Sequence, residues 1–399
     1  MYKIVISILK KHKTYSCSMK KKLNFKKTGT IILRLLISVL IGVMVVVVPT
    51  IYISSRSLIT DKFSGNRSEY QGVLEIWHID TFEGGRLGKY GFLKARAVDF
   101  EATNKGLYFM VKNMTETECM LALQQGQRPA MFSFGIGVGS QLLDYLAKLN
   151  NSNTNLKPEF LQGGIVNEEL FASAWCRGVY SLITTTKKLE EAKQSIGDSL
   201  VSIATNCGYT KTLKNKKTKT TYSLAFGSAG YVCPQLAYSH SYKNLVQNQT
   251  SIDANNISKT PYTAYCDFIE GKATILLGTQ RDVARIENRL SVGKIDGVVY
   301  QHLTQYTDLV QYLGIVKTND NKIYNACSKF ITYMCSNAVQ KKLANIGMFT
   351  INNGLNIYTS GEWKNIEDLT IEPCVVPNVF TDRATLQANK QACIDCEQI

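Results

Sequence analysis

Residues 31–53, IILRLLISVLIGVMVVVVPTIYI, form an apolar run of 23 residues with Arg34 as its one charge. As a helix the run rises about 34 Å, enough to cross a bilayer core of about 30 Å. A buried core helix is the competing reading, but the run is apolar all round and follows a head, residues 1–28, with nine Lys and no acid. The positive-inside rule then puts that head in the cytoplasm and everything beyond Ser54 outside. Arg34, near the cytoplasmic end, can snorkel to the interface. A secretory signal has an apolar region of about 7–15 residues and a small-x-small cleavage site. Here the run is longer, and Ile51-Tyr52-Ile53-Ser54-Ser55 offers only weak small residues. Residues 29–53 therefore read as an uncleaved transmembrane anchor ahead of a cleaved signal. Met19-Lys-Lys-Lys also resembles a bacterial start, so the leading 18 residues are open to an alternative reading.

The chain has 46 Lys and Arg against 31 Asp and Glu, a net charge of +15. With nine Lys in the head, the body is only mildly basic, and the stripe expected of a nucleic-acid-binding domain is missing. Apolar residues at 45% and charged residues at 19% exclude a disordered chain. Ten of the eleven cysteines follow the apolar run, where an oxidising exterior permits disulfides, but spacing fixes no pairing. Cys327 and Cys335 are excluded as partners if they share a helix. Cys393-Ile-Asp-Cys396 is a lone CxxC at a chain end, read as a local disulfide or plain thiols.

Residues 54–71 are polar and read as a tether. The body then opens with a strand at Val73–Ile79, a helix face of Tyr90, Leu93, Ala97 and Phe100, and a strand at Leu107–Val111. Thr115-Glu-Thr-Glu118 is a capping box opening a helix that Gly126 can close, and Ala130–Phe134 is a further strand. This βαβαβ order predicts a parallel sheet covered by helices on both faces. Later, Leu189, Ala192, Ile196 and Leu200 predict a helix, residues 211–219 a solvated Lys-rich loop, and Ala273–Leu277 a strand. Thr279 with Asp282 is a cap signature, placing Gln280 and Arg281 at a helix N-terminus beyond a strand's carboxyl end. Ligands bind there in open α/β sheets, although an ordinary capped surface turn has the same pattern.

No phosphate-binding loop, HExxH, GxSxG or EF-hand pattern occurs. Gly135-Ile-Gly137-Val-Gly139 lacks the third glycine of a dinucleotide fingerprint and reads as a strand-to-helix turn. The four histidines, 12, 78, 240 and 302, share no ligand spacing, so neither a metal nor a cofactor is expected.

Several segments together resemble the bacterial extracellular solute-binding proteins of family 1, the carbohydrate-type binding components of ABC importers. Leu74-Glu-Ile-Trp77-His78 with Phe82-Glu-Gly-Gly85 is similar to their first strand and ligand loop. Thr117 to Gly126, followed by Pro129 and Phe132-Ser-Phe-Gly135, follows their helix-Gly-Pro-strand pattern, with Ala130 in place of the usual Asp. Ala174-Trp175-Cys-Arg-Gly178-Val-Tyr180 resembles the crossover between lobes. Phe268 to Ala273, continuing to Gly278-Thr-Gln-Arg281, resembles the late strand lining the cleft, and Tyr306-Thr-Asp308 the return crossover. A helix over residues 325–344, stacking Phe330, Met334 and Ala338, is similar to the helix preceding Gly347-Met348-Phe349. The likeness covers about residues 72–350, and the lipid-modified Cys usual in that family has no counterpart here.

The resemblance implies a two-lobed α/β fold of the periplasmic-binding-protein type II, preceded by one transmembrane helix. Lobe 1 takes residues 72–178, lobe 2 residues 179–302, residues 303–345 return to lobe 1, and residues 346–399 pack on lobe 2. It implies a sugar or oligosaccharide held in an interlobe cleft, an ABC permease as partner, and a body outside the cell membrane of a Gram-positive-type bacterium. The cleft residues would be Trp77, His78, Asp80, Glu83, Phe134, Trp175, Gln280, Arg281, Tyr306 and Asp308. Aromatic faces would suit sugar C–H patches and polar planar side chains the hydroxyls, while Arg281 leaves an anionic ligand open. For each aromatic, core packing is the alternative. A membrane-anchored enzyme acting on cell-wall glycans is the competing function. A sensory ectodomain is a third, needing a partner chain for signalling.

Overall fold

The computed structural model describes residues 67–150, 155–191, 200, 210–214, 217–241 and 259–395. The apolar run at 31–53, the tether up to residue 66, most of the 189–200 helix face and Cys396 lie outside these residues. Among the described residues, no helix is long and apolar enough to cross a membrane.

The body opens with β1 (Arg67–Ile79), α1 (Lys89–Thr103), β2 (Lys105–Met114), α2 (Glu116–Gln124) and β3 (Met131–Phe134). The Thr115 hydroxyl accepts from the Glu118 N–H while the Glu118 carboxylate accepts from Thr115, a reciprocal cap. A ribbon of β4 (Ile165–Val166) and β5 (Glu169–Leu170) precedes β6 (Ser173–Arg177) and β7 (Tyr180–Thr185). Then come β8 (Thr210–Lys214), β9 (Lys217–Phe226), α3 (Pro234–Ser241), α4 (Pro261–Ile269), β10 (Ala273–Thr279), α5 (Gln280–Ser291) and β11 (Val298–Leu303). Last come β12 (Val310–Ile315), α6 (Asn321–Met334), α7 (Gly361–Leu369) and α8 (Arg383–Asp395).

Two five-stranded sheets result, with orders β2-β1-β3-β12-β6 and β11-β7-β10-β9-β8. The first sheet is mixed, not parallel throughout. β1 pairs in parallel with β2 and β3, but β12 runs antiparallel to β3 and β6 because the chain returns from the second sheet. Phe330 of α6 packs on Phe100 and Phe109, closing one face of this sheet. In the second sheet the strand period of two splits the core. Leu182, Phe226 and Leu277 face one way, and Ile183, Ala225 and Leu276 the other, against Phe268 of α4 and Ile286 of α5.

Three expectations need correction. Residues 211–214 and 217–219 belong to two antiparallel strands, with Thr212 opposite Lys219. Alternating Thr favours strand, and the lysines had hidden that pattern. The helix over 325–344 breaks at Ser336, whose hydroxyl caps a new short helix, Asn337–Gln340. That break turns Ala338 outward and buries Val339 and Gln340. The segment after residue 345 packs on both sheets: Ile351, Val379 and Phe380 join the first core, and Tyr358, Trp363 and Leu386 join those of the second. None of the seven cysteines identified as reduced, Cys119, Cys176, Cys233, Cys266, Cys327, Cys335 and Cys374, forms a disulfide.

The cap at Thr279 is present: its hydroxyl accepts from the Arg281 N–H at 3.2 Å, and the Asp282 carboxylate accepts from the Thr279 N–H at 3.0 Å. Thr279→Ala should lower stability by about 1 kcal/mol. An unchanged urea midpoint would show that the cap contributes nothing.

Candidate functional site

The chain crosses between the sheets at Gly178–Val179 and again at residues 304–309, and the two crossings are bonded together. Gly178 N donates to Leu309 O at 2.6 Å, and the Thr307 hydroxyl to Gly178 O at 3.1 Å. Gln280 lies across the first crossing. Its Oε1 accepts from Val179 N at 3.1 Å, and its Nε2 donates to Glu83 O at 2.8 Å in the loop after β1. A Cβ on Gly178 would come within 2.4 Å of Gln280 Oε1, which is why glycine occupies that position.

More polar contacts join that loop to α5 and its surroundings. Arg281 Nη1 donates to Gly85 O at 2.8 Å, Arg285 Nη2 meets the Glu83 carboxylate at 2.9 Å, and Arg86 meets Glu287 at 3.2 Å above the Trp363 ring. Arg86, Arg281, Arg285 and Glu287 line an open cavity of about 510 Å³ with other residues of α5, and its three arginines already hold acids or backbone carbonyls. A second junction lies at the ends of β3 and α2. The Tyr231 hydroxyl donates to Glu116 at 3.0 Å, and Arg383 binds the same carboxylate and donates to Gly137 O. Gly137 has φ +85°, and a Cβ there would lie 2.0 Å from the Tyr231 ring, so this junction requires glycine.

At the carboxyl end of β1, Gln311 Nε2 donates to the Ser133 hydroxyl at 3.2 Å, and Ser133 lies 2.9 Å from His78 Nδ1. His78 Nε2 and Lys89 Nζ both approach Asp80 Oδ1, at 3.1 and 3.2 Å. Burial works against a charged Asp80, but the His78 hydrogen bond and the Lys89 charge outweigh it and hold the carboxyl at about 2. Asp80 has a side chain 42% exposed, a carboxylate fixed from behind by buried groups.

A pocket of about 270 Å³ opens at the return crossover, walled by Tyr231, Cys233, Leu236 and His240, by Tyr306 and Asp308, and by residues of the C-terminal segment. Tyr306 and His240 are stacked, with centroids 5.1 Å apart and planes 9° from parallel. Asp308 Oδ1 accepts from the Tyr180 hydroxyl at 2.7 Å and Oδ2 from Cys233 N at 2.6 Å. Burial pushes the Asp308 carboxyl up, against the pull of those two donors.

No family model matches the sequence, and no curated protein matches it. Among solved structures, the GacH receptor of Streptomyces glaucescens, solved unliganded and with acarbose, aligns over 83% of this chain and 94% of its own, at 11% identity and TM-score 0.58. An ABC substrate-binding protein of Listeria monocytogenes, in complex with cycloalternan, covers 82% of this chain and 98% of its own, at 11% identity and TM-score 0.53. The fold is that of the ABC substrate-binding proteins. Thiaminase I of Bacillus thiaminolyticus shares it at 10% identity and TM-score 0.55, over 82% of this chain and all of its own.

Within this fold the ten sequence-derived residues scatter. Tyr306 and Asp308 meet at the pocket. Asp80, backed by His78, and Glu83 stand on the loop after β1, where Gln280 and Arg281 fasten it to α5. Gln280 is wholly buried with both ends of its amide engaged, so it serves as a clamp between segments and offers no ligand contact. Trp77, Phe134 and Trp175 are core residues, against the expectation that they face a cleft. Trp77 meets Phe132 edge-on, Phe134 meets Phe380, and Trp175 stacks on Phe92. Tyr231, His240 and the C-terminal wall were missed. Leu236 and His240, four residues apart, share one face of α3, and Cys233 stands just before it, a signal carried by helical spacing and not by metal-ligand spacing.

Proposed function

We propose that this protein is a membrane-tethered extracellular solute-binding protein that captures a sugar between two lobes and delivers it to an ABC permease. Residues 72–178 with 303–345 make one lobe, residues 179–302 the other, and the run at 29–53 holds both at the outer face of the membrane. The observation that carries this reading is the pocket at the return crossover, with its stacked Tyr306–His240 pair beside the Asp308 carboxylate. Flat rings and a few convergent polar groups are what a sugar's apolar faces and hydroxyls require. The fold shared with proteins solved with acarbose and cycloalternan supports it. The enzyme reading has thiaminase I as a fold neighbour. Glycan hydrolysis, however, uses two carboxylates, and Asp308 is the carboxylate among the described pocket-lining residues.

Thermal shift and calorimetry over a panel of neutral saccharides should find one ligand per chain, stabilising the protein by about 2.7 kcal/mol at 100 Kd. Tyr306→Ala and Asp308→Asn should each weaken binding about tenfold or more. Binding undiminished in both variants would put the site elsewhere, and turnover of a glycan would make the protein an enzyme.

A further inference from the structure

One wall of the pocket comes from Val375, Pro377, Thr381, Leu386 and Asn389, in the C-terminal segment that lies outside the resemblance. The helical part of this wall, Leu386 and Asn389, is pinned on either side. Arg383 binds the Glu116 carboxylate and Gly137 O beside the first sheet. Seven residues on, the buried Lys390 Nζ donates to Ser228 O at 2.7 Å and Gly230 O at 2.6 Å beside the second. Leu386, between them, is buried in the same cluster as Tyr306 and Leu309.

We propose that this wall makes the pocket a one-ring site, admitting a monosaccharide and excluding oligosaccharide chains; the inference rests on the solute-binding reading above. The pocket's volume of about 270 Å³ lies below the roughly 300–1,000 Å³ of pockets that bury drug-sized ligands, which suits one pyranose ring and not a chain of them. Its polar capacity is also small. Tyr180, Cys233 N and, at 3.4 Å, Tyr306 all donate to the Asp308 carboxyl, and its own backbone N–H joins them, so little of its acceptor capacity of roughly four positions remains for a ligand. Thr381 and Asn389 are further polar side chains in the described lining. Tyr306, His240 and Tyr231 supply the aromatic part of the lining.

Calorimetry on the full chain with D-glucose, D-galactose and N-acetylglucosamine, each against its linear trisaccharide where one is soluble, tests this. The expected result is a monosaccharide bound at least about tenfold more tightly than its trisaccharide. Leu386→Ala, which opens the wall without touching its anchors, should narrow that ratio. Lys390→Met, which frees one end of the helix, should narrow it further. A trisaccharide that binds the native protein more tightly than its monosaccharide overturns the one-ring site and leaves the solute-binding reading standing. A panel in which no saccharide binds overturns both. The native-protein comparison decides the matter even if neither variant folds.

Discussion

Trp175→Ala is expected to destabilise the protein by about 3–5 kcal/mol, as large-to-small changes of fully buried aromatics do. The indole is buried on β6, its ring 5.8 Å from Phe92 and 4° from parallel. Its Nε1–H has no acceptor among the described residues. Trp175→Phe therefore behaves differently. It keeps most of the stacking face and removes an unsatisfied donor whose burial costs about 1–3 kcal/mol, so it should stay within about 1 kcal/mol of the native protein. Urea melts of the two variants separate a core role from a ligand-facing one. An alanine variant that melts like the native protein but loses its saccharide response would return Trp175 to the binding site.

Lys89→Met should destabilise by about 3 kcal/mol, the lower part of the range for breaking a buried ion pair, because Asp80 keeps some solvent. Lys89 is wholly buried. Its ammonium donates to Phe82 O at 2.5 Å, meets Asp80 at 3.2 Å and lies 3.1 Å from the centre of the Phe82 ring. Methionine fills the volume but strands the Phe82 carbonyl. The pH dependence has a definite sign. Asp80 is depressed to about 2 from 3.8, so its contribution is present above 3.8 and is lost as the pH falls through about 2. In the variant that depression shrinks. The stability gap between native and variant should thus narrow as the pH drops from about 4 to about 2. A gap that stays constant across that window would show that the carboxylate and the ammonium do not interact.

The parts of this fold legible in the sequence are those governed by local rules. β1, α1 and α2 follow from spacing, and the caps at Thr115 and Thr279 follow from side chains that reach their own backbone. The strand pair β8–β9 was hidden because its lysines read as a solvated loop while its threonines carried the strand signal. The break at Ser336 was hidden because apolar spacing ran on across it. Ring placement was less legible still. Trp77, Phe134 and Trp175 stand on strands that end toward the crossings, and a ring there can face a cleft or the core. Phe132, Phe380 and Phe92, distant in sequence, settle it for the core. The pocket was half legible: Tyr306 and Asp308 come from a recognisable crossover, while its far wall comes from a segment whose role is set by two cationic side chains, Arg383 and Lys390, reaching carbonyls on other elements.

The sheet orders also bear on biogenesis. β12 lies between β3 and β6 in the first sheet, yet more than a hundred residues separate it from either in synthesis. Until it emerges, β3 and β6 each present an unpaired edge, the kind of surface that recruits other chains. All strands of the second sheet, by contrast, lie between Tyr180 and Leu303, so that sheet can be completed while the first still waits for the strand that joins β6 to β3. The newly made chain is thus most exposed to aggregation and proteolysis between the appearance of β3 and that of β12, and its quality control rests on how quickly one six-residue strand is delivered.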